Sequence, residues 1–332
     1  MFDISAIGEL LIDFTPVGTS EAGNVIFERN PGGAPANVLA AASKLGSSTA
    51  FLGKVGRDQF GEFLAKTLAD NRIDVRGLKF SLSANTTLAF VHLNEHGDRS
   101  FSFYRNPGAD MLLSEEDLET DVLKSTGIFH FGSVSMTDEP SRSATLKAVE
   151  IAKNSGAVIS FDPNLRPLLW KSLDEAKKQI IGGLGYADIL KISGEELEFL
   201  TGVKDLAAGT KQLQKHGISF IIVTLGPAGA FYRAGGITGF QPTYDVRVVD
   251  TTGAGDAFLG AFLYKLEGLG LDDIRKLSSG EIDKIMDFAN AGGACTTSRK
   301  GGIPAVPDLE QVERCMREIP KMGGAQNGGF IW

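Results

Sequence analysis

Residues 250–256, with the sequence Asp-Thr-Thr-Gly-Ala-Gly-Asp, place a glycine-bearing backbone directly in front of a carboxylate. Apolar residues at helical spacing follow in residues 257–263. The pattern predicts a loop that enters a buried helix, with Asp256 in the first turn. Such a turn presents unpaired amides and the positive end of the helix dipole, so it attracts anions. Gly253 and Gly255 lack side chains, which lets a ligand approach the backbone closely.

A carboxylate beside an anion-binding turn suits transfer of a phosphoryl group to a hydroxyl. The carboxylate can accept the hydroxyl proton, and the amides can stabilise the charge that develops on the phosphate. The alternative is an ordinary helix cap with glycines in a turn. The stretch alone does not decide between the two, and the rest of the chain favours phosphoryl transfer.

Composition and charge narrow the class of protein. The 332 residues carry a formal net charge of −8, with 42% hydrophobic and 22% charged residues, which is typical of a folded globular protein and argues against a nucleic-acid or anionic-membrane surface. Cys295 and Cys315 form no CxxC pair, so we expect a reduced, cytoplasmic protein. We expect no signal peptide and no membrane span. The four histidines have no metal-ligand spacing, which argues against a zinc enzyme.

Short apolar runs alternate with helical patterns along most of the chain. Strands are predicted at residues 3–8, 49–53, 128–131, 158–162, 189–192 and 220–225. Helices are predicted at residues 36–45, 61–71, 142–154, 173–181 and 206–215. This alternation predicts one α/β domain over residues 1–332, with three layers, a Rossmann-like arrangement and a mainly parallel central sheet.

Two segments interrupt this rhythm with strands and turns. Residues 11–30 and 87–105 predict a small separate sheet, for which a lid over the active site is a natural use. The alternative is an antiparallel extension of the main sheet. Residues 321–332 are glycine-rich and predict a flexible tail.

Common phosphate-binding motifs are missing from the chain. The P-loop pattern GxxxxGK[ST], a strand-linked GxGxxG and the protein-kinase motifs are all absent. These absences argue against a P-loop ATPase, a dehydrogenase and a protein kinase.

A second glycine motif, PGGAPAN at residues 31–37, precedes an alanine-rich helix. Glycines followed by an asparagine in the first helical turn expose backbone N–H groups and a side-chain amide to a polyol. The alternative is a turn with a tight helix–sheet contact. Together with residues 250–256, and in this order, the motif resembles the two signature motifs of the ribokinase-like (PfkB) carbohydrate kinases. The resemblance extends over residues 7–307 and implies a ribokinase-like fold.

The resemblance also implies roles for individual residues. Asp256 is implied to be the general base, with the amides of Gly253, Ala254 and Gly255 as the anion hole for the γ-phosphate. Asp13 is implied to accept sugar hydroxyls, although it could instead be a strand-end carboxylate. The other residues implied to line the sugar site here are Gly32, Gly33 and Asn37.

ATP and Mg²⁺ are the cofactors that the resemblance implies. Ser193 stands where the family carries the asparagine of an Asn-x-x-Glu motif, and Glu196 keeps the acidic position that supports Mg²⁺ through water. Ser193 and Glu196 also form a capping box, and both interpretations can hold together. Further nucleotide-side residues are implied to be Asn164, Thr224, Gly226, Gly229, Gly253, Gly255 and Asn290. A monovalent cation, K⁺, is implied to be held mainly by backbone oxygens of Asp250, Thr252, Thr296, Arg299, Gly301 and Ala305.

Two arginine-bearing motifs, at residues 101–110 and 161–167, resemble segments shared by fructokinases and 2-keto-3-deoxygluconate kinases. Arg105 and Arg166 are expected to reach the sugar or the transferred phosphate, unless either is a surface residue. The opening GELLIDF and the form DPNLRP favour D-fructose over 2-keto-3-deoxygluconate, and ribokinase or nucleoside kinase ranks lower. The competing class is a catalytically silent sugar or nucleotide sensor on the same fold. The resemblance also implies a homodimer that pairs through the lid, with a monomeric lid as the alternative.

Overall fold

Strands and helices alternate along most of the chain in the computed structural model, which describes residues 1–93 and 99–323. The strands are β1 (Phe2–Ile7), β2 (Leu11–Thr19), β3 (Val25–Gly32), β4 (Thr49–Gly56), β5 (Ile73–Ser81), β6 (Leu88–Leu93), β7 (Arg99–Tyr104), β8 (Thr126–Gly132), β9 (Val158–Asp162), β10 (Ile189–Ser193), β11 (Phe220–Thr224), β12 (Ala230–Ala234) and β13 (Ile237–Gln241). The helices are α1 (Ala34–Leu45), α2 (Gln59–Asp70), α3 (Thr120–Lys124), α4 (Ser141–Asn154), α5 (Leu173–Leu184), α6 (Gly194–Thr201), α7 (Leu206–Leu213), α8 (Ala254–Tyr264), α9 (Leu271–Ile274), α10 (Ser279–Thr297) and α11 (Leu309–Glu318). Within the described ranges, no helix is long and apolar enough to cross a membrane.

The central sheet contains nine strands in the order β13-β12-β11-β10-β9-β8-β1-β4-β5. The strands from β11 to β5 in this order run parallel, and β12 and β13 add an antiparallel edge. The carboxyl ends of the parallel strands therefore meet at one edge, where α/β proteins usually bind their ligands. The predicted α/β fold with a mainly parallel sheet is confirmed.

Helices cover both faces of this sheet because its strands are apolar on both sides. Along β11, Phe220 and Ile222 belong to the core cluster that contains residues of α1, α8 and α10. Ile221 and Val223 point the other way and belong to the cluster that contains residues of α4, α5, α6 and α7. The two cores lie on opposite faces of the sheet, so helices, sheet and helices form the three predicted layers. This packing holds the ends of the strands at fixed positions.

The predicted bounds agree closely with the observed elements. The strand predicted at residues 158–162 is β9 in full. The helix predicted at residues 206–215 ends as α7 at Leu213, and a single 3-10 turn, Gln214–His216, follows it. Gly217 then takes a φ of +89°, which ends the helical run.

A second sheet, with the order β3-β2-β6-β7, is separate from the central one. The predicted small sheet is thus confirmed, and the alternative of an extended main sheet is wrong. Its core is aromatic, because Phe14 stacks on Phe90 at 4.8 Å between ring centroids. Phe14 also meets Phe60 of α2 edge-on at 5.9 Å, which joins the small sheet to the body. Movement of this sheet as a lid stays a prediction.

The chain end is bonded to the body as far as the structure describes it. Lys321 forms an ion pair with Asp287 at 2.9 Å, and the amide of Met322 donates to the carbonyl of Thr243. These contacts hold the first residues of the segment predicted as a flexible tail. The remainder of that segment, residues 324–332, lies outside the described residues.

Candidate active site

Two cavities lie side by side at the carboxyl edge of the central sheet. The smaller, of about 340 Å³, is lined by residues of the small sheet, α1 and the loop before α8. The larger, of about 490 Å³, lies beside β11, α8 and α10. Thr251 and Gly255 line both cavities. The loop before α8 therefore forms the wall between a polar compartment and a more apolar one.

This loop enters the helix as the sequence predicts. Gly253 is the N-cap of α8 and takes a left-handed φ of +74°, which favours glycine. Asp256 follows in the first turn and is buried, with 8% of its surface exposed. The Nδ2 group of Asn37 donates to Oδ2 of Asp256 at 2.8 Å. The two glycine motifs, far apart in sequence, thus meet at one carboxylate.

Asp250 holds the start of the loop against the segment after α10. Its Oδ1 accepts hydrogen bonds from the amide and the hydroxyl of Thr252, and its Oδ2 accepts one from the amide of Gly301 at 3.0 Å. The Asp250 amide also donates to the carbonyl of Thr297. The structure brings the two halves of the predicted cation site together, and binding of a cation there stays a prediction. The second half of this predicted site is held by local hydrogen bonds. The Thr296 hydroxyl donates to the carbonyl of Gly292, the Arg299 amide to the carbonyl of Thr296, and the Ala305 amide to the carbonyl of Gly302.

The glycines of the first motif leave room for the carboxylate of Asp13 and for the backbone of Glu9. A Cβ added to Gly32 would overlap Oδ2 of Asp13, and one added to Gly33 would overlap the backbone oxygen of Glu9. Gly33 also takes a φ of +119°. Asp13 and Gly33 line the smaller cavity with Asn37 and Asp256, so the residues predicted to bind sugar lie around one compartment, although Gly32 sits behind Asp13.

The carboxyl of Asp13 has an unusual pKa. Burial raises it to about 6, Arg166 lowers it, and the nearby charge of Asp256 raises it. Hydrogen bonds donated to this carboxyl would stabilise its ionised form and lower its pKa. Hydroxyl groups of a bound ligand would supply such bonds.

Glu9 is a site residue that the sequence analysis missed. Its Oε1 accepts the amide of Ala34 at 2.9 Å. Its Oε2 is buried and has no hydrogen-bond partner among the residues that the structure describes. Burial raises the pKa of Glu9 to about 7, although hydrogen bonds from the amides of Glu9 and Ala34 lower it. A single glutamate between two apolar strands gives no sequence signal for this position.

We expect Glu9→Gln to flatten the pH dependence of stability. Between pH 4.5 and 7 the native Glu9 holds a proton that the unfolded chain has lost, so the free energy of unfolding falls as the pH rises through this window. From pH 5 to pH 8, the free energy of unfolding should fall by about 2 kcal/mol more in wild type than in Glu9→Gln, since one pKa unit corresponds to about 1.4 kcal/mol. Urea unfolding at both pH values measures this difference, and equal losses in the two proteins would refute it.

Arg105 does not lie where the sequence analysis expected it. Its guanidinium donates to Asp110 at 2.7 Å, to the Thr137 hydroxyl at 2.9 Å and to the Val134 carbonyl at 3.1 Å. The side chain is buried and is not among the residues that line the smaller cavity. Its donors are directed to the protein, so the geometry does not favour contact with a sugar and instead makes Arg105 a link between β7 and the body.

Arg166 and Asn164 do reach the smaller cavity. Asn164 takes a positive φ of +47°, and its Oδ1 accepts a hydrogen bond from Arg166 at 2.6 Å. Its amide donates to Oδ1 of Asp162 at 3.1 Å. Arg166 is exposed, so its guanidinium can turn toward a ligand. Asn164 was predicted to lie on the nucleotide side, but it lies beside the smaller cavity.

Ser193 and Glu196 form the expected capping box at the start of α6. The Ser193 amide donates to Oε2 of Glu196 at 2.8 Å, and the Glu196 amide donates to the Ser193 hydroxyl at 3.1 Å. Oε1 of Glu196 accepts the amide of Leu165 at 2.7 Å. Each carboxylate oxygen therefore keeps a lone pair for water, as a Mg²⁺ ligand acting through water requires.

The larger cavity collects five of the predicted nucleotide-side residues, whereas Asn164 and Gly253 line the smaller cavity and Ser193 lines neither. The lining of the larger cavity includes Thr224, Gly226, Gly229, Ala254, Gly255 and Asn290. Gly229 has a φ of +115°, and a Cβ there would overlap the carbonyl of Gln241. Asn290 donates to the same carbonyl at 3.1 Å. These contacts shape a mainly apolar slot that ends at the first turn of α8.

Comparison with known proteins agrees with this geometry. Residues 1–309 match the family described as pfkB family carbohydrate kinase.

The chain belongs to this family.

Among its relatives, fructokinase-1 of Oryza sativa subsp. japonica is 46% identical over 318 residues, which cover 94% of this chain and 97% of the relative. A crystal structure of fructokinase with bound ATP from Xylella fastidiosa superposes with a TM-score of 0.89 at 34% identity and covers 95% of this chain and 98% of the other. A fructokinase double mutant from Vibrio cholerae O395, in a form with fructose, ADP and potassium ion bound, gives a TM-score of 0.84 at 33% identity, with 95% and 98% covered. The ribokinase-like fold expected from the motifs is confirmed.

Proposed function

We propose that this carbohydrate kinase is a fructokinase, which transfers the γ-phosphoryl group of ATP to the primary hydroxyl at C6 of D-fructose. The observation that supports this most strongly is the position of Asp256, buried at the wall between a polar and an apolar cavity and held by Asn37 at 2.8 Å. The polar cavity suits a sugar and the apolar one suits an adenine ring. The relatives described above are named for the same reaction.

The chemistry follows from the first turn of α8. Asn37 occupies Oδ2 of Asp256, so Oδ1 is left to accept the proton of the sugar hydroxyl. The hydroxyl oxygen then forms its bond to the γ-phosphorus while the bond to ADP breaks. The amide of Gly255 in this turn faces the charge on the transferred group, beside the amide of Ala254, which also donates to the carbonyl of Thr251 at 3.3 Å.

The lining of the smaller cavity favours a neutral sugar over a keto acid. Three carboxyl groups, those of Glu9, Asp13 and Asp256, line it. Carboxylates accept hydrogen bonds from hydroxyls and repel a substrate carboxylate. Arg105, which would have been a second cation for a keto acid, donates to protein atoms instead. Arg166 and Lys191 also line this cavity and could bind a substrate carboxylate, so 2-keto-3-deoxygluconate is the second candidate.

A coupled ADP-release assay with MgATP and K⁺ tests the proposal. Fructose, 2-keto-3-deoxygluconate, ribose and adenosine are compared in parallel, and fructose should give the highest kcat/KM. If the keto acid gives the highest kcat/KM, the protein is a carbohydrate kinase with the same chemistry, but its substrate is 2-keto-3-deoxygluconate. Binding of fructose and ATP by calorimetry with no ADP release would show a catalytically silent sensor.

The proposed cofactors are ATP, Mg²⁺ and K⁺. Glu196 would support Mg²⁺ through water, and the segment around Asp250 and Gly301 would hold K⁺ with backbone oxygens. Within residues 1–93 and 99–323, no three His, Cys, Asp or Glu side chains form a metal cage, which is compatible with a Mg²⁺ held largely by water and phosphate. These ions would neutralise charge on the phosphates. Omitting each salt in turn from the ADP-release assay tests both.

The proposed homodimer would pair the small sheets of two copies. Val17, Val25, Ile26 and Tyr104 of this sheet are 47%, 57%, 45% and 66% exposed. Exposed apolar side chains on this sheet support the proposed association. We expect light scattering to give the mass of a dimer and Val25→Glu to shift it toward the monomer, whereas a monomeric wild type would contradict the proposal.

A cytoplasmic location is also proposed, and the free thiols of Cys295 and Cys315 support it.

A further inference from the structure

A buried ammonium group lies at the wall between the two cavities. Lys191 is in β10, is 7% exposed and lines the smaller cavity. A Cβ added to Gly255 would lie 3.0 Å from Nζ of Lys191. The glycine at this position therefore leaves the ammonium directly beside the first turn of α8, close to the amides that face the transferred phosphate.

Asp162 holds this ammonium in position. Its Oδ2 accepts a hydrogen bond from Nζ at 2.8 Å, and its Oδ1 is fixed by the amide of Asn164 at 3.1 Å. An ammonium group carries three donors. Asp162 is its hydrogen-bond partner within the parts of the chain that the structure describes, so two N–H groups remain for a ligand in the cavity.

The ammonium stays charged despite its burial. Burial lowers the pKa of Lys191, but the negative charges of Asp162, Glu196 and Asp256 outweigh burial and raise it. Arg166, the other cation that lines the cavity, is exposed and bonded to Asn164. Lys191 is thus a fixed positive charge at the point where the cavities meet, where exclusion of water strengthens an electrostatic contact.

We propose that Lys191 is a further catalytic residue, whose ammonium donates to an oxygen of the phosphoryl group during its transfer. This inference rests on the proposed function. In the step, the sugar hydroxyl oxygen bonds to the γ-phosphorus, the bond from that phosphorus to the bridging oxygen breaks, and its electron pair leaves with ADP. The hydroxyl proton passes to Asp256, and Lys191 keeps its three protons. The alternative is that Lys191 only neutralises Asp162.

Four variants separate these two roles. Lys191→Met removes the charge at similar length, Lys191→Arg keeps the charge, and Asp162→Asn removes the partner but leaves the ammonium. Lys54→Met is the matched control, because Lys54 pairs with Asp117 at 2.7 Å outside the residues that line the two cavities. The measurements are kcat and both KM values for ADP release, and calorimetric affinity for ADP with fructose, with and without aluminium fluoride, which mimics the transferred group.

We expect Lys191→Met to lower kcat about 100- to 1,000-fold, the usual effect of losing one donor to developing charge, with both KM values changed less than about threefold. It should bind ADP normally but lose the gain in affinity from aluminium fluoride. Lys191→Arg should retain at least about tenfold more kcat than Lys191→Met, because it keeps a charged donor. Asp162→Asn should keep the fluoride-dependent gain, and Lys54→Met should match wild type.

Several outcomes would overturn the inference. These are a folded Lys191→Met within threefold of wild-type kcat, or an Asp162→Asn that loses the fluoride-dependent gain as fully as Lys191→Met. If Lys191→Met fails to fold, complete loss of the fluoride-dependent gain in Asp162→Asn relative to wild type would overturn the inference. Absence of ADP release by wild type with every sugar would instead refute the proposed function. Active wild type with unaffected lysine variants would refute this inference alone.

Discussion

Asp256→Asn is expected to lower kcat for ADP release by about three to four orders of magnitude, because the variant cannot accept the hydroxyl proton. The carboxamide has nearly the same size, and its oxygen can still accept the hydrogen bond from Asn37, so the first turn of α8 should keep its geometry. Affinity for the sugar should change less than about fivefold, since the lost interaction belongs to the transition state. Steady-state kinetics and sugar titration by calorimetry measure both quantities.

Asp205→Asn is a matched control for this variant. Asp205 is also an aspartate at a helix N-terminus, where its Oδ1 accepts the amide of Ala208 at 2.6 Å. It lies outside the residues that line either cavity. The control should therefore show wild-type kcat. Normal turnover by Asp256→Asn would remove Asp256 from the role of base.

Asp13→Ala is expected to raise the KM for the sugar by about 100-fold, with the KM for ATP nearly unchanged. Hydrogen bonds to a charged group contribute about 1.5–3 kcal/mol each, and Asp13 lines the cavity where sugar hydroxyls would lie. Asp13→Asn, which keeps the size but not the charge, should show a smaller rise. The fold of Asp13→Asn should persist, because a carboxamide of the same size fits the space that Gly32 leaves for the carboxylate.

Kinetics at varied sugar and at varied ATP separate the two substrates in these variants. A rise in the KM for the sugar alone supports the role of Asp13 in binding sugar hydroxyls. An unchanged KM for the sugar in Asp13→Ala would contradict it. Equal rises in both KM values would show instead that the small sheet or the cavity wall had shifted.

The fold could be predicted from the sequence because its signals are local. The apolar run of β9 is bounded by turns, and its limits at residues 158–162 follow from the chain itself. The small sheet was foreseen from the alternation in β7, where Phe101 and Phe103 lie on one side. The end of α7 was less clear, because the 3-10 turn after Leu213 continues the helical pattern.

Parts of the site could not be predicted because they depend on contacts between distant segments. Arg105 was expected to meet the sugar, but Asp110, Thr137 and Val134 take its donors. Lys191, in the apolar strand β10, and Glu9, between the apolar strands β1 and β2, were missed because a single charged residue in an apolar stretch has no distinctive spacing. Their significance depends on burial beside α8 and α1, which the sequence alone does not give.

Identification of the product is the measurement that tests the account most directly. Wild-type protein is incubated with MgATP, K⁺ and uniformly ¹³C-labelled D-fructose, and the phosphorylated carbon is assigned from its coupling to ³¹P by NMR. We expect fructose 6-phosphate, with one ADP formed for each phosphate transferred. Phosphate at C1, or no phosphorylated fructose while another acceptor is turned over, would contradict it.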